Sequence, residues 1–257
     1  DDCSNIFSGV DYVFHLAARS RIQPTIGSPN ECFEVNVVGT QRVLEWSRIN
    51  SVKKVVYSGT SSLYGHQNSI PFQPNMPTDC LNPYSMSKWM GEQVCKLYNQ
   101  LYSVPSIVLR YFNVYGSREY YKAKTSSMVI QLGHQILDGK SPRLFEGSDQ
   151  IFRDFINIED VIQANIKACN PKQNGIYNIG TGIPRSFKDI ADILQQELGE
   201  NFDIDYIPNP HEGYQMNTQA DISTSRINLG FDPSISLEEG IKAYIPDIKR
   251  LHGTDIS

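Results

Sequence analysis

The chain has 257 residues, of which 40% are hydrophobic and 20% charged, and its formal net charge at pH 7 is −5. This composition is typical of a globular protein with one large domain or two smaller ones. It contains no run of more than two consecutive Lys or Arg residues, and no apolar stretch approaches the ~20 residues of a membrane-spanning helix. We therefore expect neither nucleic acid nor a membrane among its partners.

The cysteines are odd in number and widely scattered, at Cys3, Cys32, Cys80, Cys95 and Cys169. No short spacing pairs them, which argues against a disulfide framework and against a zinc site. We expect a cytoplasmic protein, because that compartment keeps thiols reduced, and we expect no metal site.

Short apolar runs alternate with helical segments along the first part of the chain. Strands are predicted at residues 11–17, 54–58, 106–112 and 175–180, and helices at 29–50 and 83–102. Strands that alternate with helices of this length are joined by crossover connections, so the pattern predicts an α/β fold with a parallel sheet.

After Gly116 the spacing of the apolar residues changes. Helices are predicted at 126–137 and 160–169, and a short strand at 142–145. Two more helices are predicted after Ser186 and Ser236, because a serine before an acidic first turn is a typical N-cap. We predict a sheet domain of residues 1–118 and 154–182, and a smaller α/β substrate-binding domain of residues 119–153 and 183–257.

Three residues on two segments carry the strongest chemical signal. Thr60 follows the second predicted strand, and Tyr84 and Lys88 lie four residues apart near the start of the next helix. That spacing puts the phenol and the ammonium on one helical face, where the charge of Lys88 is expected to lower the pKa of Tyr84. Thr60 lies where open parallel sheets place their sites, beyond the carboxyl ends of the strands. The three groups suit the removal of a proton from an alcohol while a hydride leaves its carbon.

The Tyr-x-x-x-Lys spacing by itself is weak evidence. The chain has 14 tyrosines and 12 lysines, so the spacing arises readily by chance, and it recurs at Tyr120 and Lys124. The context distinguishes Tyr84 and Lys88, because a strand with a hydroxyl-rich end precedes them and a strand ending in Arg110-Tyr-Phe-Asn-Val-Tyr-Gly116 follows. We therefore assign the catalytic role to this pair.

These segments together resemble the extended short-chain dehydrogenases/reductases, in particular their nucleotide-sugar epimerase and dehydratase group. The matching segments follow the family's order over almost the whole chain: Val13-Phe-His-Leu-Ala-Ala18, Asn36-Val-Val-Gly-Thr40, Ser58 to Gly65, Tyr84 with Lys88, Arg110 to Gly116, and Arg153-Asp-Phe-Ile-Asn-Ile-Glu-Asp160. The resemblance implies a Rossmann-like parallel sheet with a smaller sugar-nucleotide domain, NAD or NADP as cofactor, and a nucleotide-diphosphate sugar as substrate. Family members often pair through helices near residues 30–50 and 84–102, which implies a homodimer.

The resemblance also implies roles for individual residues. Tyr84 is expected to be the acid/base, Lys88 its partner and Thr60 the accompanying hydroxyl. The residues expected to line the cofactor are Leu16, Ala17, Ala18, Asn36, Ser58, Tyr84, Lys88 and Tyr111. Those expected to bind the substrate are Asn113, Phe145, Arg153 and Tyr214. A guanidinium at position 153 suits this role, because its fork of donors matches phosphate oxygens.

The two residues after Thr60 bear on the reaction. Dehydratases of the group carry Asp-Glu there, whereas this chain has Ser61 and Ser62, so we expect an epimerase, which is an isomerase. Such an enzyme oxidises its sugar transiently to a ketone and returns the hydride to the opposite face.

Two epimerase classes stay open. The first half is similar to UDP-hexose 4-epimerases at residues 17–21 and 70–72, which suggests UDP-glucose or UDP-N-acetylglucosamine. The second half resembles ADP-glyceromanno-heptose 6-epimerases more closely, at residues 118–122, 141–147 and 214–221, and favours that activity. In the heptose enzymes the lysine matching Lys122 is a second catalytic acid/base, and Phe145 would stack on the base. Gln131 and Tyr120-Tyr121 depart from the heptose pattern, which has His and Gly-His at these positions.

The glycine-rich loop that binds the cofactor pyrophosphate in this family does not occur in these 257 residues. By the family's layout the segment with this loop precedes Asp1. We therefore expect this chain alone to bind the dinucleotide poorly, and its first strand to present an unprotected edge. A non-catalytic relative that binds sugar nucleotides is the alternative from another functional class.

Overall fold

The computed structural model describes residues 4–67, 69–119, 122, 125–170, 173–209 and 216–253. They form two compact units, each discontinuous in sequence. The first unit comprises the chain up to Tyr111 with Ile162–Ile179 and Asp221–Phe231. The second comprises Phe112–Val161, Gly180–Ala220 and the chain from Asp232 onward.

The strands are β1 (Tyr12–His15), β2 (Lys54–Thr60), β3 (Ser106–Tyr111), β4 (Asn113–Tyr115), β5 (Arg143–Phe145), β6 (Phe152–Asn157), β7 (Gly175–Ile179), β8 (Pro184–Ser186) and β9 (Asp205–Ile207). The helices are α1 (Ile22–Gly27), α2 (Pro29–Phe33), α3 (Gly39–Ile49), α4 (Pro83–Tyr102), α5 (Met128–Leu137), α6 (Ile158–Ala168), α7 (Phe187–Leu198), α8 (Ser223–Leu229) and α9 (Leu237–Leu251). Among the described residues, no helix is long and apolar enough to cross a bilayer.

A parallel sheet forms the centre of the first unit. Its strand order is β1-β2-β3-β7, and every neighbouring pair is parallel, as the alternation of strands and helices predicts. All seven residues of β2 are buried. In contrast β1 lies at the edge of the sheet, and its Tyr12 and Phe14 side chains are exposed.

The helix that carries Tyr84 and Lys88 begins at a strong local signal. Asn82 accepts a hydrogen bond from the Ser85 backbone N–H at 2.9 Å, and the Ser85 hydroxyl accepts one from the Asn82 N–H at 3.3 Å. This capping box satisfies two donors at the helix start, and Pro83 has no N–H to satisfy. Tyr84 and Lys88, the predicted catalytic pair, therefore lie in the first two turns of a helix whose start is set by Asn82, Pro83 and Ser85.

The second unit contains a three-stranded sheet and a helical core. Strand β6 pairs parallel with β4 and antiparallel with β8, while β5 and β9 form a separate parallel pair. Apolar side chains of α5, α7 and α9 form one buried cluster against these strands. The predicted helix starts at Ser186 and Ser236 are confirmed, since each serine forms a capping box with the acidic residue three positions later.

The elements that the sequence patterns did not predict are mostly short. The strands β4, β8 and β9 have three residues each, too few to show an alternation. The predicted helix at residues 29–50 is present, but a π-helical turn at Glu34–Val38 separates α2 from α3.

Gly91 permits a close contact between α4 and the sheet. The fully buried Tyr57 of β2 passes under the helix at this point, and a Cβ added to Gly91 would lie 2.2 Å from the Tyr57 hydroxyl oxygen. Real side chains never approach so closely, so either the ring or the helix would have to move.

We expect Gly91→Ala to lower the free energy of unfolding by about 2 kcal/mol and the melting temperature by roughly 4–8 °C, because overpacking outweighs the gain in helix propensity. Differential scanning calorimetry measures the change. Gly27→Ala is the matched control, since a Cβ at Gly27 in α1 meets no atom within 4 Å. An unchanged melting temperature for Gly91→Ala would contradict the close contact.

Candidate active site

The carboxyl ends of β2 and β3 and the start of α4 bring the predicted catalytic groups of the first unit together. Thr60 is the last residue of β2 and caps the following turn, where its hydroxyl accepts a hydrogen bond from the Ser62 N–H at 3.2 Å. Tyr84 lies in the first turn of α4, and the Thr60 hydroxyl is near enough to its phenol to lower the pKa of Tyr84. Lys88 follows one turn later and is buried. Two segments more than 20 residues apart in sequence thus place a hydroxyl against a phenol.

The pKa of Tyr84 corrects one expectation. Burial raises the pKa of this phenol, because the site disfavours the charged phenolate. The hydrogen bond from Thr60 and the positive charge of Arg21 oppose this effect. The cation that lowers the pKa of Tyr84 is therefore Arg21, whereas the sequence spacing predicted Lys88.

The Lys88 ammonium faces the sheet. Its Nζ lies 4.2 Å from the centroid of the Tyr57 ring, in a cation–π contact. Burial lowers the pKa of Lys88 to about 8, while the nearby Cys95, Glu92 and Cys32 oppose this by favouring the charged form. At pH 7 the side chain is still mostly protonated, because its pKa lies above the ambient pH.

A buried ion pair adjoins Lys88. Glu92, one helical turn after Lys88, accepts two hydrogen bonds from the Arg110 guanidinium, at 3.0 and 2.7 Å. Arg110 also donates to the Tyr64 hydroxyl at 2.9 Å, and Tyr64 donates to the Asn178 side chain at 2.6 Å. This network ties α4 to three segments of the first unit.

Sequence reasoning assigned no role to this network. Arg110 belongs to the segment Arg110–Gly116 that carries the family resemblance, whereas Glu92 belongs to none of the matching segments. The signal that could have found Glu92 is its spacing, because Tyr84, Lys88 and Glu92 recur every four residues on one face of α4.

The residues expected to line the cofactor lie around the same strand ends. Leu16 and Ala17 follow β1 and are exposed, and Ala18 is half-buried. The Ser58 hydroxyl lies 3.3 Å from the Tyr111 hydroxyl, which donates in turn to Asn165 at 2.9 Å.

Asn36, which is also expected to line the cofactor, links two segments of the first unit. It is buried, and its side chain donates to the Ser87 hydroxyl at 2.9 Å and to the Arg19 carbonyl at 3.0 Å. Its oxygen accepts from the Arg19 N–H at 2.7 Å. These bonds fasten the segment after β1 to α4, so Asn36 holds the loop in place from within.

The second unit contains the described residues that were expected to bind substrate. Asn113 begins β4, Phe145 ends β5, and both are half-buried. Arg153 on β6 is buried and donates to the carbonyls of Phe152 and Met216, both at 2.9 Å. Lys122 is exposed, and its N–H donates to the Glu119 carbonyl at 2.9 Å. Tyr214, like Tyr120 and Lys124, lies outside the described residues.

Asp154 fixes the strand that carries Arg153. Its buried carboxylate accepts hydrogen bonds from the N–H and hydroxyl of Thr181, both at 2.7 Å, from Gly182 N–H at 2.8 Å and from Ala220 N–H at 2.9 Å. Four donors on one carboxylate join β6 to two other segments of the second unit. Within the described ranges, no cluster of His, Cys, Asp and Glu side chains is suited to a metal ion.

Comparison with known proteins identifies the family of this chain. Residues 1–180 match the NAD dependent epimerase/dehydratase family. A putative UDP-glucose 4-epimerase of Methanocaldococcus jannaschii is 36% identical over 249 residues, which cover 96% of this chain and 80% of the relative.

Two solved structures are similar over nearly the whole chain. A UDP-N-acetylglucosamine 4-epimerase from Methanobrevibacter ruminantium, in complex with UDP-N-acetylmuramic acid, has a TM-score of 0.92 and 26% identity, covering 97% of this chain and 80% of that one. The ADP-L-glycero-D-manno-heptose-6-epimerase of Helicobacter pylori has a TM-score of 0.83 and 36% identity, covering 93% of this chain and 73% of that one.

These matches confirm the Rossmann-like α/β fold class and the isomerase type that the resemblance implies, and of the two expected cofactors, NAD or NADP, they support NAD. The chain belongs to the NAD-dependent epimerase/dehydratase family.

Proposed function

We propose that this protein is a nucleotide-sugar 4-epimerase acting on a UDP-hexose, with Tyr84 as its acid/base. The observation that carries the proposal is the placement of the Thr60 hydroxyl near the Tyr84 phenol, with the buried Lys88 one turn later on α4, at the carboxyl end of a parallel sheet. Such a pair can accept a proton from one secondary alcohol and return it to the resulting ketone.

The residues around Tyr84 fit a nicotinamide cofactor. Lys88 is buried and its ammonium lies against the Tyr57 ring, and its N–H donors suit the hydroxyls of a ribose. The exposed Leu16 and Ala17 and the hydroxyls of Ser58 and Tyr111 lie at the ends of the same sheet's strands. NAD, when bound, supplies the oxidant for the sugar carbon.

The protein's own part is the movement and placement of the proton. Tyr84 rests as the neutral phenol, because burial raises its pKa. The charge of Arg21 and the Thr60 hydroxyl favour the phenolate, so Tyr84 can release its own proton to solvent and then take the hydroxyl proton of the sugar. Tyr84 returns this proton once the ketone has presented its other face. Ser61 and Ser62 follow Thr60 and provide no carboxylate, so the residues after Thr60 favour epimerisation over dehydration.

The UDP-hexose assignment is supported by two observations. The relative from M. jannaschii and the structure from M. ruminantium are both named as 4-epimerases of UDP-sugars. Lys122, on which a two-base mechanism would depend, is exposed in the second unit. We assign Asn113, Phe145, Arg153 and Tyr214 to the nucleotide-diphosphate part of the substrate, because a guanidinium and an aromatic ring suit phosphate and base.

ADP-heptose 6-epimerisation is the second candidate. It is supported by the 36% identity to the H. pylori heptose enzyme and by the motifs of the second half of the chain. A non-catalytic sugar-nucleotide-binding protein has less support, because Thr60, Tyr84 and Lys88 are all present and the Thr60 hydroxyl lies near the Tyr84 phenol.

Tyr84→Phe tests the proposed mechanism. We expect it to lower kcat for UDP-glucose epimerisation by roughly 10²–10⁴-fold, because only the proton-carrying oxygen is lost. Calorimetric titration with UDP should give an unchanged affinity. Tyr98→Phe, on the same helix, is the control and should keep the wild-type rate. A near-normal rate for Tyr84→Phe would remove Tyr84 from the mechanism, and turnover of neither UDP-hexose nor ADP-heptose by the wild type would remove both substrate assignments.

Lys122→Ala separates the two candidate reactions. We expect an essentially unchanged kcat/KM for UDP-glucose, because a 4-epimerase uses one acid/base. Lys140→Ala, which removes another exposed lysine of the second unit, is the matched control. Loss of roughly 100-fold or more for Lys122→Ala alone, with ADP-heptose as the better substrate, would support the heptose route.

We also propose a homodimer formed through α4. Four exposed apolar side chains, Met86, Met90, Leu97 and Leu101, recur at helical spacing along one side of this helix. They form a stripe about 22 Å long at the helical rise of 1.5 Å per residue. A stripe of this kind can pair with the same stripe of a second copy about a twofold axis.

Sedimentation velocity tests the dimer. The wild type should sediment as a dimer, and the double substitution Leu97→Glu with Leu101→Glu should give a monomer, because it puts four charges into the paired stripes. Ile227→Glu changes an exposed isoleucine of α8 and should leave the dimer intact. A wild type that is monomeric at micromolar concentration would rule the interface out.

A further inference from the structure

Tyr57 meets Lys88 in two ways, and the proposed mechanism uses neither. Its ring centroid lies 4.2 Å from the Lys88 Nζ, and its hydroxyl donates to the backbone carbonyl of Lys88 at 3.2 Å. Tyr57 is fully buried in the most buried strand of the sheet. One side chain therefore contacts both the charged end of Lys88 and the helical turn from which Lys88 projects.

We propose that Tyr57 is a positioning residue for Lys88, whose ring face holds the ammonium and whose hydroxyl fixes the turn of α4 beneath it. The catalytic consequence of this inference rests on the proposed function, but the contact itself does not. An ammonium held against an aromatic face keeps its remaining N–H donors directed away from the ring, where a ribose can meet them.

The surroundings of Tyr57 are built for this contact. Gly91 has no side chain, and only this leaves room for the Tyr57 hydroxyl beside α4. His15 packs against the other part of the ring, with centroids 5.7 Å apart, and its own Nε2 is bonded to Thr40 at 2.9 Å. The ring is thus held by β1 and α4 and cannot turn away from Lys88 without breaking close packing.

The other groups around Lys88 supply little competing charge. From β1, His15 is neutral at pH 7, because burial lowers its pKa to about 4. On α4, burial raises the pKa of Cys95 to about 12, so its thiol is neutral as well. The remaining titratable groups near Lys88 are Glu92 and Tyr84 on its own helix and Cys32 on α2.

Glu92 is the one carboxylate in this set, and its charge is already matched by Arg110 at 2.7 Å. The electron-rich group that directly contacts the Lys88 ammonium is the Tyr57 ring, at 4.2 Å from its centroid. If the ring stabilises the ammonium, then weakening the negative face of the ring must make the ammonium more acidic.

The test measures the ionisation of Lys88 directly. The protein is labelled with lysine carrying ¹³C at Cε, each resonance is followed from pH 6 to pH 11, and Lys88→Arg identifies the Lys88 signal. Position 57 is then occupied in turn by tyrosine, phenylalanine, 4-fluorophenylalanine and 3,4,5-trifluorophenylalanine. These rings have nearly the same shape, while fluorination progressively removes negative charge from the ring face.

We expect Tyr57→Phe to titrate like the wild type at Lys88, because the ring is kept. The trifluorinated ring should make the Lys88 ammonium about tenfold more acidic, with the monofluorinated ring in between. The same trifluorinated residue at Phe72, a buried ring of the first unit, is the control and should leave Lys88 unchanged. Identical titration of Lys88 across the whole series at position 57 would overturn the proposal, and so would an equal response at position 72.

A second measurement separates this inference from the proposed function. Melting temperatures check that each variant is folded, and the KM for NAD and kcat are measured for the same series. If fluorination at position 57 changes the titration of Lys88 but the protein epimerises no nucleotide sugar, the positioning role of Tyr57 is supported and the proposed function is rejected. If the protein epimerises normally but the titration of Lys88 does not change across the series, only the positioning role of Tyr57 is rejected.

Discussion

A buried ammonium at position 88 is the constraint on which the first unit depends. Taking a charge out of water costs several kcal/mol unless other groups replace the lost hydration. Here the ring of Tyr57 lies against the ammonium, and Glu92 adds a favourable charge one turn away. The Tyr57 ring and the Glu92 carboxylate each depend in turn on further residues, which lie in the sheet and in neighbouring segments.

The requirement created by Glu92 is met by Arg110. A buried carboxylate without a partner would destabilise the fold by about 3–5 kcal/mol, so the bidentate pair is a condition of having Glu92 there at all. Arg110 then uses its remaining donors on Tyr64 and the Pro74 carbonyl. The requirement created by Tyr57 is met by Gly91, where any side chain would collide with the phenol. The placement of Lys88 on α4 therefore depends on buried residues that have no proposed contact with the substrate.

The second unit solves a related problem with a carboxylate. Asp154 is buried next to Arg153 in sequence, and burial raises its pKa despite four hydrogen-bond donors. Those donors come from the segments after β7 and before α8. The Asp154 side chain therefore links both segments to the strand that carries Arg153. In both units the residues proposed to act on the substrate stand on elements that buried polar groups hold in place. This agrees with the general need for rigid support beneath a functional group.

The sequence by itself determined the parallel sheet, the starts of three helices and the segments that carry Thr60, Tyr84 and Lys88. These follow from local patterns: apolar runs, capping residues and a spacing of four along one helix. Only the tertiary structure decided that the Lys88 ammonium faces Tyr57, that Arg21 is the cation acting on Tyr84, and that Glu92 needs Arg110. The reason is physical, because each of these three pairs joins residues that are at least 18 positions apart in the chain. Such contacts arise from how helices pack on the sheet, which no local pattern records.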